Sequence, residues 1–472
     1  MVELRHIHLY WRTLMPSQTH PTSAPTVVQL SQLTGDAWAR ELVPRLPADL
    51  ALQARAHKAF QRRRGLLQST DLLRGLLAYV LGAMSFRRLG AWAVLIGLAD
   101  ISDTAWRKRL LRASAWLLWL LGALLAGPPA PAWLPASRRQ RILLIDATKL
   151  AQPGGTGDDW RLHTAYALET GRMAQVRVTD RHTGEHLGHF ALQPGDIVVA
   201  DNGYGYRRSV ATASQQQAAV VLRITPATFP LETAAGTPFR VFPWLRRRGP
   251  AVRCVTVWCQ WARQRYEVRL IAARLPPEAV RAARQRRRRR AQKHSRQVQA
   301  TTLYLAAWVL LITTLDATAW TAADVLRLYR ARWQVELVYK RMKQVLRLNQ
   351  LRSTQAASAE ATVRALLVAW ALQEDEAAQV RALLAALTTI PAEVPAQTVD
   401  VVSSWLLTSL CLDTLRQQVH GTWSATRLRT CLPCLRRFLI ASPRQRIHQE
   451  TDVRTWLARK AIAQQPPQCR VA

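Results

Sequence analysis

Acids are scarce in this chain. Of 472 residues, 30 are Asp or Glu against 66 Lys or Arg, a formal net charge of +36. A surface so short of balancing carboxylates calls for a polyanion. Nucleic acid is the first candidate, because each neutralised phosphate releases counterions; a lipid surface is the second. Lysine is scarce as well, at seven residues. A GC-rich coding bias explains arginine in place of lysine, but it does not explain the missing acids. Long apolar runs are lacking: the stretches 115–127 and 303–315 fall short of the roughly 20 residues that a membrane-spanning helix requires, so no membrane partner is expected. The N-terminus lacks the central apolar run and small-residue cleavage site of a secretory leader, and a cytoplasmic location is expected. Six cysteines form no framework. Cys431 with Cys434, and Cys254 with Cys259, lack the ordered spacing of a zinc site, so free thiols in a reducing compartment are expected.

What is present is an ordinary globular balance, 49% hydrophobic and 20% charged, in a chain long enough for several cores. Residues 1–45, broken by Pro16, Pro21 and Pro25, read as a loosely ordered leader. Residues 46–135 read as a helical DNA-binding domain, with apolar residues at helical spacing over 72–81 and 89–98. There Ser102-Asp103-Thr104 caps a short helix carrying Arg107, Lys108, Arg109 and Arg112, like the second helix of a DNA-binding helical unit. A solvated helix in a bundle would carry the same cations. Pro128, Pro129, Pro131 and Pro135 form a linker.

The character changes at 136–224, which reads as a mixed α/β layer. The apolar run 141–146 ends on Asp146. Candidate strands at 161–168 and 174–180 are joined by a turn at Thr170-Gly171. A second apolar run, 196–201, ends on Asp201, and a helix and a strand at 218–224 follow. Residues 225–303 read as a β-rich insertion with a basic tail, Arg286–Arg290. Residues 304–375 resume the layer with a strand at 308–315, one long helix over 321–347 and an apolar helix at 362–372. Residues 376–472 read as a C-terminal helical region, a candidate for dimerisation.

Asp146 and Asp201 each close a hydrophobic strand, where an α/β sheet presents functional groups on a rigid backbone. A turn or cap explains one such Asp equally well. The third acid is better marked. Tyr329, Arg332, Glu336 and Lys343 lie on one stripe about 60° wide at 100° per residue. Three carboxylates from separated positions suit two Mg²⁺ ions, with Mn²⁺ able to substitute, and two such ions clamp the attacking and leaving oxygens of a phosphoryl displacement. Arg332 and Lys343 would then hold DNA phosphates, and Tyr329 would stack on a sugar or donate to a phosphate.

The pattern Tyr329-x2-Arg332-x3-Glu336-x6-Lys343 resembles the Y-R-E-K signature of a branch of bacterial insertion-sequence transposases of the DDE class. Asp146-Ala147-Thr148 is similar to the family's first acid motif. Asp201-Asn202-Gly203-Tyr204-Gly205 is similar to its second, although Asn202 stands where members often carry Arg. The resemblance covers about 141–372. It implies an α/β, RNase H-like catalytic core, a mixed sheet flanked by helices, with a β-rich insertion and an N-terminal helical domain. It implies Asp146, Asp201 and Glu336 as catalytic and metal-binding residues. It also implies cut-and-paste transposition on double-stranded DNA, at terminal inverted repeats and a target, by a homodimer at the bacterial nucleoid. Trp308 stands where such a family places a tryptophan that holds a flipped base, and a core tryptophan would look the same. A catalytically silent DNA-binding copy, or a related RNase H-like nuclease or resolvase, would share these residues.

Overall fold

The computed structural model describes residues 36–126, 141–387 and 402–421, apart from positions 64, 156 and 158, together with Thr426, Arg429 and Thr455–Leu457. Residues 1–35, the proline linker, and Cys431 with Cys434 lie outside the described residues. The last stretch of the expected leader is packed. Trp38 and Leu42, one helical turn apart, are buried in the helical core. An apolar pair four residues apart is too short to register as periodicity, which is why the sequence hides it.

Four helices follow: α1 (Leu50–Ala56), α2 (Ser69–Leu81), α3 (Phe86–Leu95) and α4 (Asp103–Leu125). The starts of α2, α3 and α4 have local causes. Gln68 and Asp71 form a capping box on α2, Ser85 accepts from the Arg88 amide, and Ser102 accepts from the Ala105 amide. The helix begun at Ser102 is long rather than short, because its apolar residues Trp106, Leu110, Ala113, Trp116, Leu117 and Leu120 continue one buried face beyond the basic stretch. Gly75 of α2 lies directly against the Trp106 ring, where a Cβ would overlap it.

A single eight-stranded sheet carries the rest. Its strands are β1 (Ile142–Leu150), β2 (Trp160–Ala167), β3 (Arg172–Asp180), β4 (Ile197–Ala200), β5 (Ala219–Arg223), β6 (Val252–Trp261), β7 (Gln264–Arg274) and β8 (Trp308–Thr313). They lie in the order β3-β2-β1-β4-β5-β8-β7-β6. β1, β4 and β5 run parallel, and all other neighbours are antiparallel. Two strands of the expected insertion, β6 and β7, pair onto β8 and so extend this sheet. Arg141 grips Asp196 with two hydrogen bonds, of 2.9 and 2.6 Å, and ties the start of β1 to the start of β4.

The remaining helices are α5 (Arg207–Gln215), α6 (Val241–Arg246), α7 (Pro277–Lys293), α8 (Ala300–Leu305), α9 (Ala322–Ala331), α10 (Trp333–Gln344), α11 (Ala356–Leu387) and α12 (Ser404–His420). Strand alternation sorts the sheet between two cores. Ile142, Leu144, Ile197 and Val199 join the core of α2, α4, α9, α10 and α11, while Leu143, Ile145, Val198 and Ala200 join that of α5 and α6. Asp146 continues the even-numbered series, which faces α10.

The long helix expected over 321–347 is two helices. At Arg332 the amide bonds Tyr329 O, and the Arg332 carbonyl accepts from Val335, both three residues apart. These tighter bonds interrupt the four-residue ladder between α9 and α10. An acidic run in α11 fastens the helices to the sheet: Glu374 accepts from the Met173 amide, Asp375 pairs with Arg172 and Arg45, and Glu376 pairs with Arg45. The apolar face of α12, including Leu412, Leu415 and Val419, is spent on this same internal core.

Candidate active site

Asp146 does not end its strand. It lies in the middle of β1, opposite Thr164 of β2, because antiparallel pairing with β2 runs on to Leu150. Asp201 follows β4 directly. Its loop is fixed by contacts that explain the Gly-Tyr-Gly sequence. Asp201 Oδ1 accepts from the Gly203 amide at 2.7 Å. Tyr204 is fully buried, and its hydroxyl meets His163 Nδ1 at 3.2 Å. Gly205 lies so close to the Arg223 carbonyl at the end of β5 that a Cβ would overlap backbone.

Glu336, in the first turn of α10, completes the group. Arg332 stands between two of the acids, with Nη1 3.6 Å from Asp146 Oδ2 and Nη2 2.5 Å from Glu336 Oε1. Its guanidinium also lies over the Tyr329 ring, 5.9 Å from the centroid. Lys343 donates to Thr148 Oγ1 at 2.6 Å. Despite the break at Arg332, the four residues of the signature pattern stay together, touching β1 or one another.

Burial pushes the Asp146 carboxyl up to about 7. Arg332 opposes that shift, while the charges of Asp201 and Glu336 reinforce it. Asp146 thus feels both other acids, although the three come from a mid-strand position, a strand end and a helix. Burial raises the Tyr329 hydroxyl, and burial lowers the Lys343 ammonium.

Three further residues serve this site without a signal in the sequence pattern. The Tyr339 hydroxyl donates to the Asp146 carbonyl at 2.7 Å and clamps α10 onto β1; its position one turn beyond Glu336 is the only hint. His163, fully buried in β2, bridges Tyr204 and Thr179, and burial with neighbouring cations pushes its imidazole down to about 3. Glu185 reaches the Asp201 loop: a Cβ on Gly203 would overlap its Oε2 and lie 3.1 Å from Asp201 Oδ1. Burial raises the Glu185 carboxyl, Arg161 lowers it and Asp201 raises it further.

The other expected DNA contacts come from β8 and α4. Trp308 begins β8 and is 7% exposed, with the Arg253 guanidinium 5.3 Å from its ring centroid. It packs as a core residue in this arrangement. Arg107 and Lys108 are exposed on α4, whereas Arg109 is half-buried.

A mixed sheet flanked by helices, with its first three strands antiparallel and β1, β4 and β5 parallel, is an RNase H-like core. The chain belongs to the DDE transposase family. The family described as "Transposase DDE domain" matches residues 137–372. The chain is 34% identical over 336 residues to the putative transposase InsL for insertion sequence element IS186A of Escherichia coli (strain K12), covering 70% of this chain and 90% of that one. It is equally 34% identical over 337 residues to the transposase for insertion sequence element IS421 of Escherichia coli, with the same coverage.

Proposed function

We propose that this protein cleaves the ends of an insertion element and joins them to target DNA. Water attacks a phosphodiester at the element end and frees a 3′-OH. That hydroxyl then attacks a phosphodiester of the target, so each step makes one P–O bond and breaks another. The observation that carries this reading is that Arg332 pairs with both Asp146 and Glu336, while the charge of Asp201 acts on Asp146.

Divalent metal fits the donor set. The three acids offer hard oxygen ligands, as Mg²⁺ prefers, and two of them already hold a positive charge between them. Among the described residues, no three acid, His or Cys side chains stand ready at metal-ligand spacing. Arg332 occupies the gap, and a DNA phosphate is the anion suited to draw it away. Asp146, Asp201 and Glu336 would hold two Mg²⁺ ions, or Mn²⁺ in their place. When bound, such ions neutralise charge on the attacking and leaving oxygens. Pairing two element ends calls for two copies of the chain.

The test is nicking of a plasmid carrying the element's ends, with Mg²⁺. Asp146→Asn, Asp201→Asn and Glu336→Gln should each lose about 10³-fold in rate or more, while duplex binding persists. Undiminished nicking by any of the three would overturn the assignment. Binding without nicking by the unaltered protein would instead indicate a silent copy. Cutting of branched DNA without strand transfer would indicate a resolvase.

A further inference from the structure

Helix α7 is the most cationic element among the described residues and plays no part in the site above. Over Pro277–Lys293 it carries Arg281, Arg284, the run Arg286–Arg290 and Lys293 against a single acid, Glu278, and none of its residues is buried. Its first half is anchored. Val280 packs on the second core, and Arg284 Nε donates to the Leu303 carbonyl of α8 at 3.1 Å. From Arg286 onward the arginines are exposed. Among the described residues, none of these cations pairs with a carboxylate.

Such a helix works against itself. Arg284 with Arg288, Arg286 with Arg290, and Arg289 with Lys293 are like charges four residues apart, each destabilising by a few tenths of a kcal/mol. Cations near the helix C-terminus recover part of that. A polyanion would recover the rest.

Two geometric facts select the polyanion. Successive residues turn by about 100°, so Arg286–Arg290 point to every quadrant around the helix axis. A flat anionic surface would meet only one side of such a helix. A lipid surface would also require an apolar face, which α7 does not have. The major groove of duplex DNA, about 12 Å wide, admits a helix and presents phosphates along both walls. The second fact is position. β7 ends at Arg274, paired with Trp308 at the start of β8, and β8 runs antiparallel to β5. The arm therefore leaves the sheet at the edge where β4 ends in Asp201. β7 is three strand spacings from β4, about 14 Å.

We propose that α7 is an arm that lies in a groove of duplex DNA, holds phosphates on both walls without regard to sequence, and feeds that duplex to the edge bearing Asp201. This inference rests on the reading of the protein as DNA-acting, and binding measured without metal separates it from the chemistry.

The experiment uses the full chain, a duplex of arbitrary sequence and EDTA. Replacing Arg286→Gln through Arg290→Gln together should lower the slope of log Kd against log salt by about 4 and weaken binding about 10²-fold at low salt. The matching lysine variant should stay within about one unit of the original slope. Circular dichroism should show the Gln variant folded, since no buried residue is touched. As a check that needs no variant, duplex should slow tryptic cleavage within Arg286–Arg290 of the unaltered protein. An unchanged slope in the Gln variant, or loss of binding to phosphatidylserine vesicles with duplex binding intact, overturns the arm and leaves the DNA reading standing. Failure of the unaltered protein to bind duplex overturns both.

Discussion

The Arg332 guanidinium bridges Asp146 and Glu336, 3.6 Å from the first carboxylate and 2.5 Å from the second. It is the strongest charge holding the Asp146 carboxyl down against burial. Replacing it with an uncharged side chain has two consequences. Nicking by Arg332→Gln should fall about 10²-fold, the usual loss when a charged donor leaves a reacting centre. The second consequence concerns pH. Metal ligands must be deprotonated, and Asp146 titrates near 7 in the metal-free site. The Mg²⁺ concentration for half-maximal nicking should therefore rise as pH drops below about 7. In Arg332→Gln that rise should begin at higher pH. Titrating Mg²⁺ at several pH values checks both, and superimposable curves for the two proteins would refute the role given to Arg332.

The Asp201 loop should tolerate no side chain at Gly205. The atom in the way there is the Arg223 carbonyl, part of β5 and unable to swing aside. Gly205→Ala should displace the loop by a fraction of an ångström up to an ångström. Misplacement of that size costs about 10²-fold in rate. Gly203→Ala is the informative comparison. A Cβ there meets the end of the flexible Glu185 side chain, which can move. Nicking should fall much less in Gly203→Ala than in Gly205→Ala, and the reverse order would contradict this account of the loop.

How far these features can be read from sequence follows from their range. Glu336 and Arg332 share a helical stripe, a local property that 3.6-residue periodicity exposes. Asp201 directly follows the short apolar run of β4, an equally local feature. Asp146 closes a similar run, but its strand continues through Ala147, Thr148 and Lys149, because β2 pairs with every one of them. Pairing is non-local, and no run of residues announces it. His163 and Glu185 reach the site across the sheet or from a loop, so sequence spacing could not find them, while Tyr339 is hinted at only by lying one turn beyond Glu336 on α10. Strands β6 and β7 were expected from their alternation, but their place in the central sheet depends on β8, which lies beyond α7 and α8.

The helical layer has a comparable close approach at Gly75. A helix-interior Gly→Ala change ordinarily stabilises by up to about 1 kcal/mol. Here the added methyl would overlap the Trp106 ring, which is fully buried and cannot move away. Overpacking typically costs about 1–3 kcal/mol, so the clash outweighs the propensity gain and Gly75→Ala should destabilise by about 1–2 kcal/mol. The pairing makes a sharper forecast. Trp106→Leu removes the obstructing ring and should itself destabilise by a few kcal/mol through the cavity it leaves. In that background Gly75→Ala should turn neutral or stabilising. Urea melts of the two single variants and the double variant measure the coupling; strict additivity would show that Gly75 is not there to make room for the ring.

His163 supplies a test by pH. Burial and the neighbouring His189, Arg161, His186 and Arg177 hold its imidazole neutral, pushed down to about 3. The unfolded chain binds that proton at the ordinary value of about 6.5. Between those two values the unfolded state holds more protons than the folded state, so stability rises with pH across the window. The contribution is complete above about 6.5 and is lost as pH falls toward 3. Carboxylates titrate over part of the same range, so the useful quantity is the difference between the unaltered protein and His163→Asn. The unaltered protein should be the more stable near neutral pH, because its ring bridges Tyr204 and Thr179. That advantage should shrink steadily as pH drops from about 6.5 to 4 in denaturant melts. An advantage that stays constant over this interval would mean that His163 already carries its proton in the folded protein, contrary to the neutral ring inferred from its burial.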